Sequence, residues 1–167
     1  VSAAKSLHGL NAQVHVQTYS QFMDGAHLRQ VLPDYDIVID ATDQLENKFL
    51  INDVCVSAEK PFVHGGITGF SGQVMTYVPE KGPCYRCIFG EVPEDNAPAP
   101  IPVIGVTAGI IGTIQAAEAI RYLLGIPSLL TGKLLVLDGL RMQFRTVPFP
   151  HISEHCPLHT RKGVTDL

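Results

Sequence analysis

Thiols are scarce in this sequence. Four of its 167 residues are cysteine, Cys55, Cys84, Cys87 and Cys156, too few for a secreted disulfide scaffold of this length. Positive charge is scarce as well. Twelve Lys and Arg against sixteen Asp and Glu give a formal net charge of −4. A nucleic-acid binder needs a basic stripe to neutralise phosphates, and none is visible, so no nucleic acid is expected as a partner. No apolar run reaches the length of a bilayer span. The longest uncharged one, Ile101 to Ala117, has 17 residues, and Glu118 and Arg121 follow at once. Its Gly105-x-x-x-Gly109 spacing also occurs in paired membrane helices. At this length the expectation is a buried helix of a soluble core, with no membrane. No charged-then-apolar segment opens the chain, and we expect a cytoplasmic protein. Also absent are G-x-G-x-x-G and G-x-x-x-x-G-K-[ST], the loops that hold phosphates at a helix N-terminus. His64-Gly65-Gly66-Ile67-Thr68-Gly69 has glycines, but strand follows where a phosphate loop needs a helix. A nicotinamide or flavin oxidoreductase therefore has only the α/β order in its favour. No Ser/His/Asp or Cys/His pairing marks a nucleophile.

What is present suffices for one folded domain over 1–167. The chain is 46% hydrophobic and 17% charged, enough apolar material for a core. Val1 to Gly9 reads as a helix end stopped by glycine. Val14 to Thr18 alternates and reads as a strand. Asp24 to Leu32 reads as a helix halted before Pro33. Ile37 to Ile39 reads as a buried strand, and Leu45 to Ala58 as a helix. Phe62-Val63 reads as a short strand closed by Gly65-Gly66, and Gln73 to Val78 as another. Residues 79–102 hold half of the twelve prolines and read as a long loop. Gly105 to Leu124 is the longest predicted helix. Leu134 to Leu137 and Gln143 to Phe149 form a predicted hairpin through Asp138-Gly139. The tail, 150–167, is polar and rich in histidine. The order predicts an α/β fold, a Rossmann-like doubly wound sheet with an antiparallel C-terminal extension.

Two constellations carry chemistry. Cys84-Tyr85-Arg86-Cys87 has the spacing of a zinc knuckle, and Cys156-Pro157-Leu158-His159 offers a C-x-x-H at the same spacing. Together they make a closed Cys3His set, as in structural zinc sites, that would pin the tail to the proline-rich loop. His155 is a rival for the fourth place, and a redox C-x-x-C and unrelated surface cysteines are the competing readings. The second lies in Asp34-Tyr35-Asp36-Ile37-Val38-Ile39-Asp40-Ala41-Thr42-Asp43-Gln44, where an apolar strand delivers acids to a sheet edge. Asp43 is either a carboxylate for a hard cation or an N-cap of the following helix. Asp40 reads as structural. Lys48 and Arg86 are candidate anion contacts. His64 reads as a packed histidine and Cys55 as a core cysteine.

Taken in order, Asp40-Ala41-Thr42-Asp43-Gln44, Leu50-Ile51-Asn52-Asp53, Gly72-Gln73-Val74, Cys84-Tyr85-Arg86-Cys87, Gly109 to Ala116, Glu118-Ala119-Ile120 and the Cys156 tail resemble the ThiF/MoeB/HesA family. These are bacterial relatives of ubiquitin-activating enzymes, and the resemblance covers nearly the whole chain. It implies ATP- and Mg2+-dependent adenylation of the C-terminal glycine of a ubiquitin-like sulfur-carrier protein, and commonly a homodimer. It places the magnesium aspartate on Asp43. It places nucleotide-site neighbours on Gln44, where the family has asparagine, and on Lys48, where it has arginine. Those two cations are not interchangeable at a bidentate site. It places zinc ligands on Cys84, Cys87 and Cys156, with His159 in place of a fourth cysteine.

The family's glycine-rich ATP loop falls upstream of Val1 in this comparison. The 167 residues alone are thus expected not to adenylate. The cysteine that several members carry before the long helix is matched here by Ala97 to Pro102, without a thiol. A zinc-stapled binding module for a ubiquitin-like partner or a second subunit is the competing reading.

Overall fold

The computed structural model describes residues 2–92 and 102–159. Among the described residues there are five α-helices and five strands, the strands forming one mixed sheet of order β1-β2-β3-β4-β5. Strand β1 (Val38–Asp40) pairs in parallel with β2 (Phe62–Thr68), and the 13-residue helix α3 (Leu45–Ser57) connects them. A parallel return of this kind needs a crossover rather than a hairpin. From β2 onward the chain meanders. Strands β3 (Ser71–Tyr77), β4 (Lys133–Asp138) and β5 (Gln143–Pro148) each lie antiparallel to the strand before.

Alternation along the strands builds two cores, one on each face. Phe62, Met75, Tyr77 and Leu134 face α3, α2 (Gly25–Val31) and α4 (Tyr85–Phe89). Val63, Val74 and Leu137 face α5 (Gly105–Leu123) through Ile111 and Ala119. Each fully buried side chain among these contributes about 1.5–3 kcal/mol of transfer free energy. Cys55 lies in the first core, as expected for a small apolar residue. Asp24 caps α2 with its carboxylate on the Ala26 and His27 amides, and a single 3-10 turn at Leu32–Asp34 follows where Pro33 stops the α-helix. Helix α1 (Ser2–Leu10) buries none of its residues.

Four expectations need correction. Val14 to Thr18 is not a strand; its backbone is irregular and almost wholly exposed, with no neighbouring strand among the described residues. Strand β1 is one residue later than expected, and Ile39, on the outermost of the described strands, is 46% exposed. Gly65 and Gly66 do not close β2, which runs through them to Thr68. The loop expected over 79–102 contains α4, and its 93–101 part lies outside the described residues, as do 160–167 of the tail. No described helix is long and apolar enough to cross a membrane.

Candidate functional site

The carboxyl end of β1 gathers charge. Asp40, its last residue, is almost sealed from water, yet its carboxylate has four partners. The Thr42 amide and hydroxyl donate at 3.0 and 2.7 Å, and His64 Nδ1 approaches at 2.8 Å. Lys48 Nζ lies at 3.3 Å, and it also donates to the Gly65 carbonyl at 2.7 Å. Burial opposes ionisation of Asp40, but the His64 hydrogen bond, the Lys48 charge and Thr42 outweigh it and hold its carboxyl below the usual range. Burial lowers the affinity of His64 for a proton, against the pull of Asp40. The imidazole is then neutral, Nδ1–H donates to Asp40, and Nε2 accepts from Gln73 Nε2 at 3.2 Å.

Asp43, three residues beyond, is exposed, and so is Gln44. The capping alternative for Asp43 fails: Gln44 is the N-cap of α3, and no side chain makes the cap bond. Lys48 sits one turn into α3 with its stem buried. Desolvation disfavours its charge, while Asp40 and then Asp43 favour it. The structure thus brings Asp43, Gln44 and Lys48 to one edge of the sheet, with Lys48 turned inward to Asp40. Arg86 is not free for an anion. It is bound to Asp53 at 2.6 and 2.7 Å and lies over the Phe49 ring.

The second centre is a sulfur cluster. One ligand atom each from Cys84, Cys87, Cys156 and His159 lie within 4.8 Å of one another. Each C-x-x-[CH] closes a turn: Cys87 N bonds Cys84 O, and His159 N bonds Cys156 O, both at 3.1 Å. Cys84 Sγ is 3.7 Å from Cys87 Sγ and from Cys156 Sγ, and none of the four cysteines forms a disulfide. Metal–sulfur bonds of about 2.3 Å in tetrahedral geometry set sulfurs roughly 3.8 Å apart. His159 Nε2 is buried with no hydrogen-bond partner, which a ligand position explains. The hydrogen bond from Cys84 pulls the Cys87 thiol down to about 5, the form a metal takes. The donor set fits a metal ion. His159, not the exposed His155, completes it.

Helix α4 carries the Cys87 thiol, has Cys84 as its N-cap, and is latched to α3. Tyr85 N donates to Asn52 Oδ1 at 2.8 Å, beside the Arg86–Asp53 pair. The Tyr85 ring also packs 4.6 Å from the His64 ring, so the two centres share a wall.

The family model described as ThiF family matches residues 1–158. The chain belongs to the ThiF family. ThiF-family relatives include the SAMP-activating enzyme E1 of Haloferax volcanii, 40% identical, with 99% of this chain and 62% of that protein covered. The sulfur carrier protein adenylyltransferase of Thermus thermophilus is 38% identical, covering 93% of this chain and 60% of that protein. The adenylyltransferase and sulfurtransferase MOCS3 of Culex quinquefasciatus is 38% identical, covering 87% and 34%. The chain thus spans less than two thirds of these ThiF-family proteins. Among solved structures, E. coli MccB with ATP superposes with a TM-score of 0.78 at 20% identity, over 93% of this chain and 48% of that one. That likeness shows the fold.

Sequence reasoning missed the polar frame around Asp40, namely Gln73 and Gln115. The signal for Gln115 was periodic. With Glu118 it shares the α5 face of Ile111 and Ala119, and all four are buried. A polar residue on a buried helical stripe requires a partner.

Proposed function

We propose that the protein containing this chain adenylates the C-terminal glycine of a ubiquitin-like sulfur-carrier protein, for sulfur incorporation in cofactor biosynthesis. The observation that carries the reading is Asp43, an exposed carboxylate delivered by β1 to the sheet's carboxyl edge in a ThiF-family chain. The names of the Haloferax and Thermus relatives support it.

A carboxylate is a poor electrophile. Its oxygen attacks the α-phosphorus of ATP, pyrophosphate leaves, and the resulting acyl-adenylate has AMP as a good leaving group. A magnesium ion held by Asp43 would neutralise charge on the phosphates. Gln44 lines the same edge as a nucleotide contact. The Lys48 ammonium adds positive potential from beneath, and Asp40 keeps it charged and oriented. The test is ATP–pyrophosphate exchange with a carrier tail present. Asp43→Ala should lower exchange at least about 100-fold, the upper end of what losing a metal-site partner costs. Undiminished exchange would refute the role of Asp43. Carrier binding with no ATP dependence would favour a zinc-stapled binding module instead.

Cys84, Cys87, Cys156 and His159 hold a structural Zn2+ in this reading. All four positions belong to protein, which leaves none open for water. We further infer a cytoplasmic homodimer, with the open face of α5 as the contact.

A further inference from the structure

We propose that Gln115 is a positioning residue for Asp43, and that Gly65 is the clearance it requires. The inference rests on the adenylation reading and goes beyond it. The side chain of Gln115 leaves the middle of α5 and enters the sheet. Its Nε2 donates to the Asp40 carbonyl at 2.7 Å and to the Val63 carbonyl at 3.2 Å. An amide nitrogen has two hydrogens, so both are used. These carbonyls belong to neighbouring parallel strands at the point where β1 ends and the chain turns toward Asp43. Asp40 is therefore held at both its groups. Thr42, His64 and Lys48 fix the carboxylate, and Gln115 fixes the carbonyl. The segment from Asp40 to Asp43 starts from an anchored peptide.

Gly65 follows from the same geometry. A Cβ built there would lie 2.4 Å from both Cδ and Oε1 of Gln115. No side chain fits unless the amide moves, and the amide is enclosed and doubly bonded. Gly65 has no positive φ to explain it. Its requirement is space, not backbone freedom. A methyl at position 65 and truncation at position 115 should thus release the same carbonyls.

The experiment uses the full-length protein, in ATP–pyrophosphate exchange as a function of Mg2+. Gln115→Ala and Gly65→Ala should each raise the Mg2+ concentration for half-maximal rate about tenfold, the scale on which lost support of a metal ligand acts. The double variant should be no worse than Gln115→Ala alone, because the small residue at 115 makes room for the methyl at 65. A purely structural role would lower thermal stability and leave the Mg2+ dependence where it was. That result, or additive losses in the double variant, overturns the inference. Exchange that survives Asp43→Asn would remove Asp43 from the reaction, and this inference would fall with it; a natural full-length protein without any exchange would instead remove the adenylation reading on which it rests.

Discussion

A neutral histidine against an ionised aspartate has a measurable signature. The His64 side chain is fully buried and its proton affinity is depressed, by burial first. Below pH of about 6.5, the ordinary imidazole value, the unfolded chain takes up a proton that the folded one resists. Stability contributed by His64 is complete above that pH and is lost as pH falls toward the lower folded value, by up to about 1.4 kcal/mol per pH unit. His64→Gln keeps a donor for Asp40 and cannot titrate. Urea midpoints at pH 7.5 and 5.5 should fall further for the natural chain than for His64→Gln; equal losses would refute the assignment. At this scale the sequence was legible where spacing speaks. Cys84, Cys87, Cys156 and His159 stand out as two C-x-x-[CH] pairs, and Asp43 as an acid just past an apolar strand. Asp40, His64 and Gln73 do not. They meet across 24 and 9 residues of chain, and such convergence leaves no periodic trace.

Helices show the same division. Helix α3 was readable because Leu45, Phe49, Leu50, Val54 and Val56 recur at roughly helical spacing, and Phe49, Val54 and Val56 are buried. The course of β2 was misread because a glycine pair resembles a turn, whereas Gly65 answers to Gln115 on an element 50 positions away. The inner face of α5 is further tied by Glu118, which accepts from the Thr76 hydroxyl and the Leu130 amide, both at 2.7 Å. Among the described residues, its outer face has nothing against it. A Cβ at Gly105, Gly109 or Gly112 would meet no atom within 4 Å, and Val106, Ile120 and Leu123 are each more than half exposed. Small residues let a second helix approach closely. Gly109→Arg should leave the fold intact and even favour the helix by about 1 kcal/mol. It should shift sedimentation from dimer to monomer mass. A monomer before the substitution, or a dimer after it, would count against α5 as the contact.

For the molecule as a whole, the Cys3His cluster is the long-range tie. Among the described residues, the tail beyond β5 has one fully buried residue, Cys156, which belongs to that cluster. Chelation, or Cys156→Ser, should therefore release the tail and uncover the α4 side of the first core. A loss of about 3 kcal/mol would lower the melting midpoint by roughly 6–12 °C at this size. Zinc content by atomic absorption and the melting midpoint should fall together. A midpoint indifferent to chelator would mean that packing alone holds the tail. The α/β class and the two-sided sheet were foreseeable from the order of elements. Which strands lie side by side was not, because periodicity names elements and not their neighbours.

Cys84 and Cys156 are 72 positions apart, so a bound metal turns the intervening chain into a ring. Closing a loop of that size removes conformational freedom from the unfolded chain worth about 4 kcal/mol. A ring also survives a single cut. Trypsin acting at Arg141, exposed in the β4–β5 turn, would open the ring without freeing either piece. The clipped protein should run as one species in a native gel and as two once the metal is stripped under denaturing conditions.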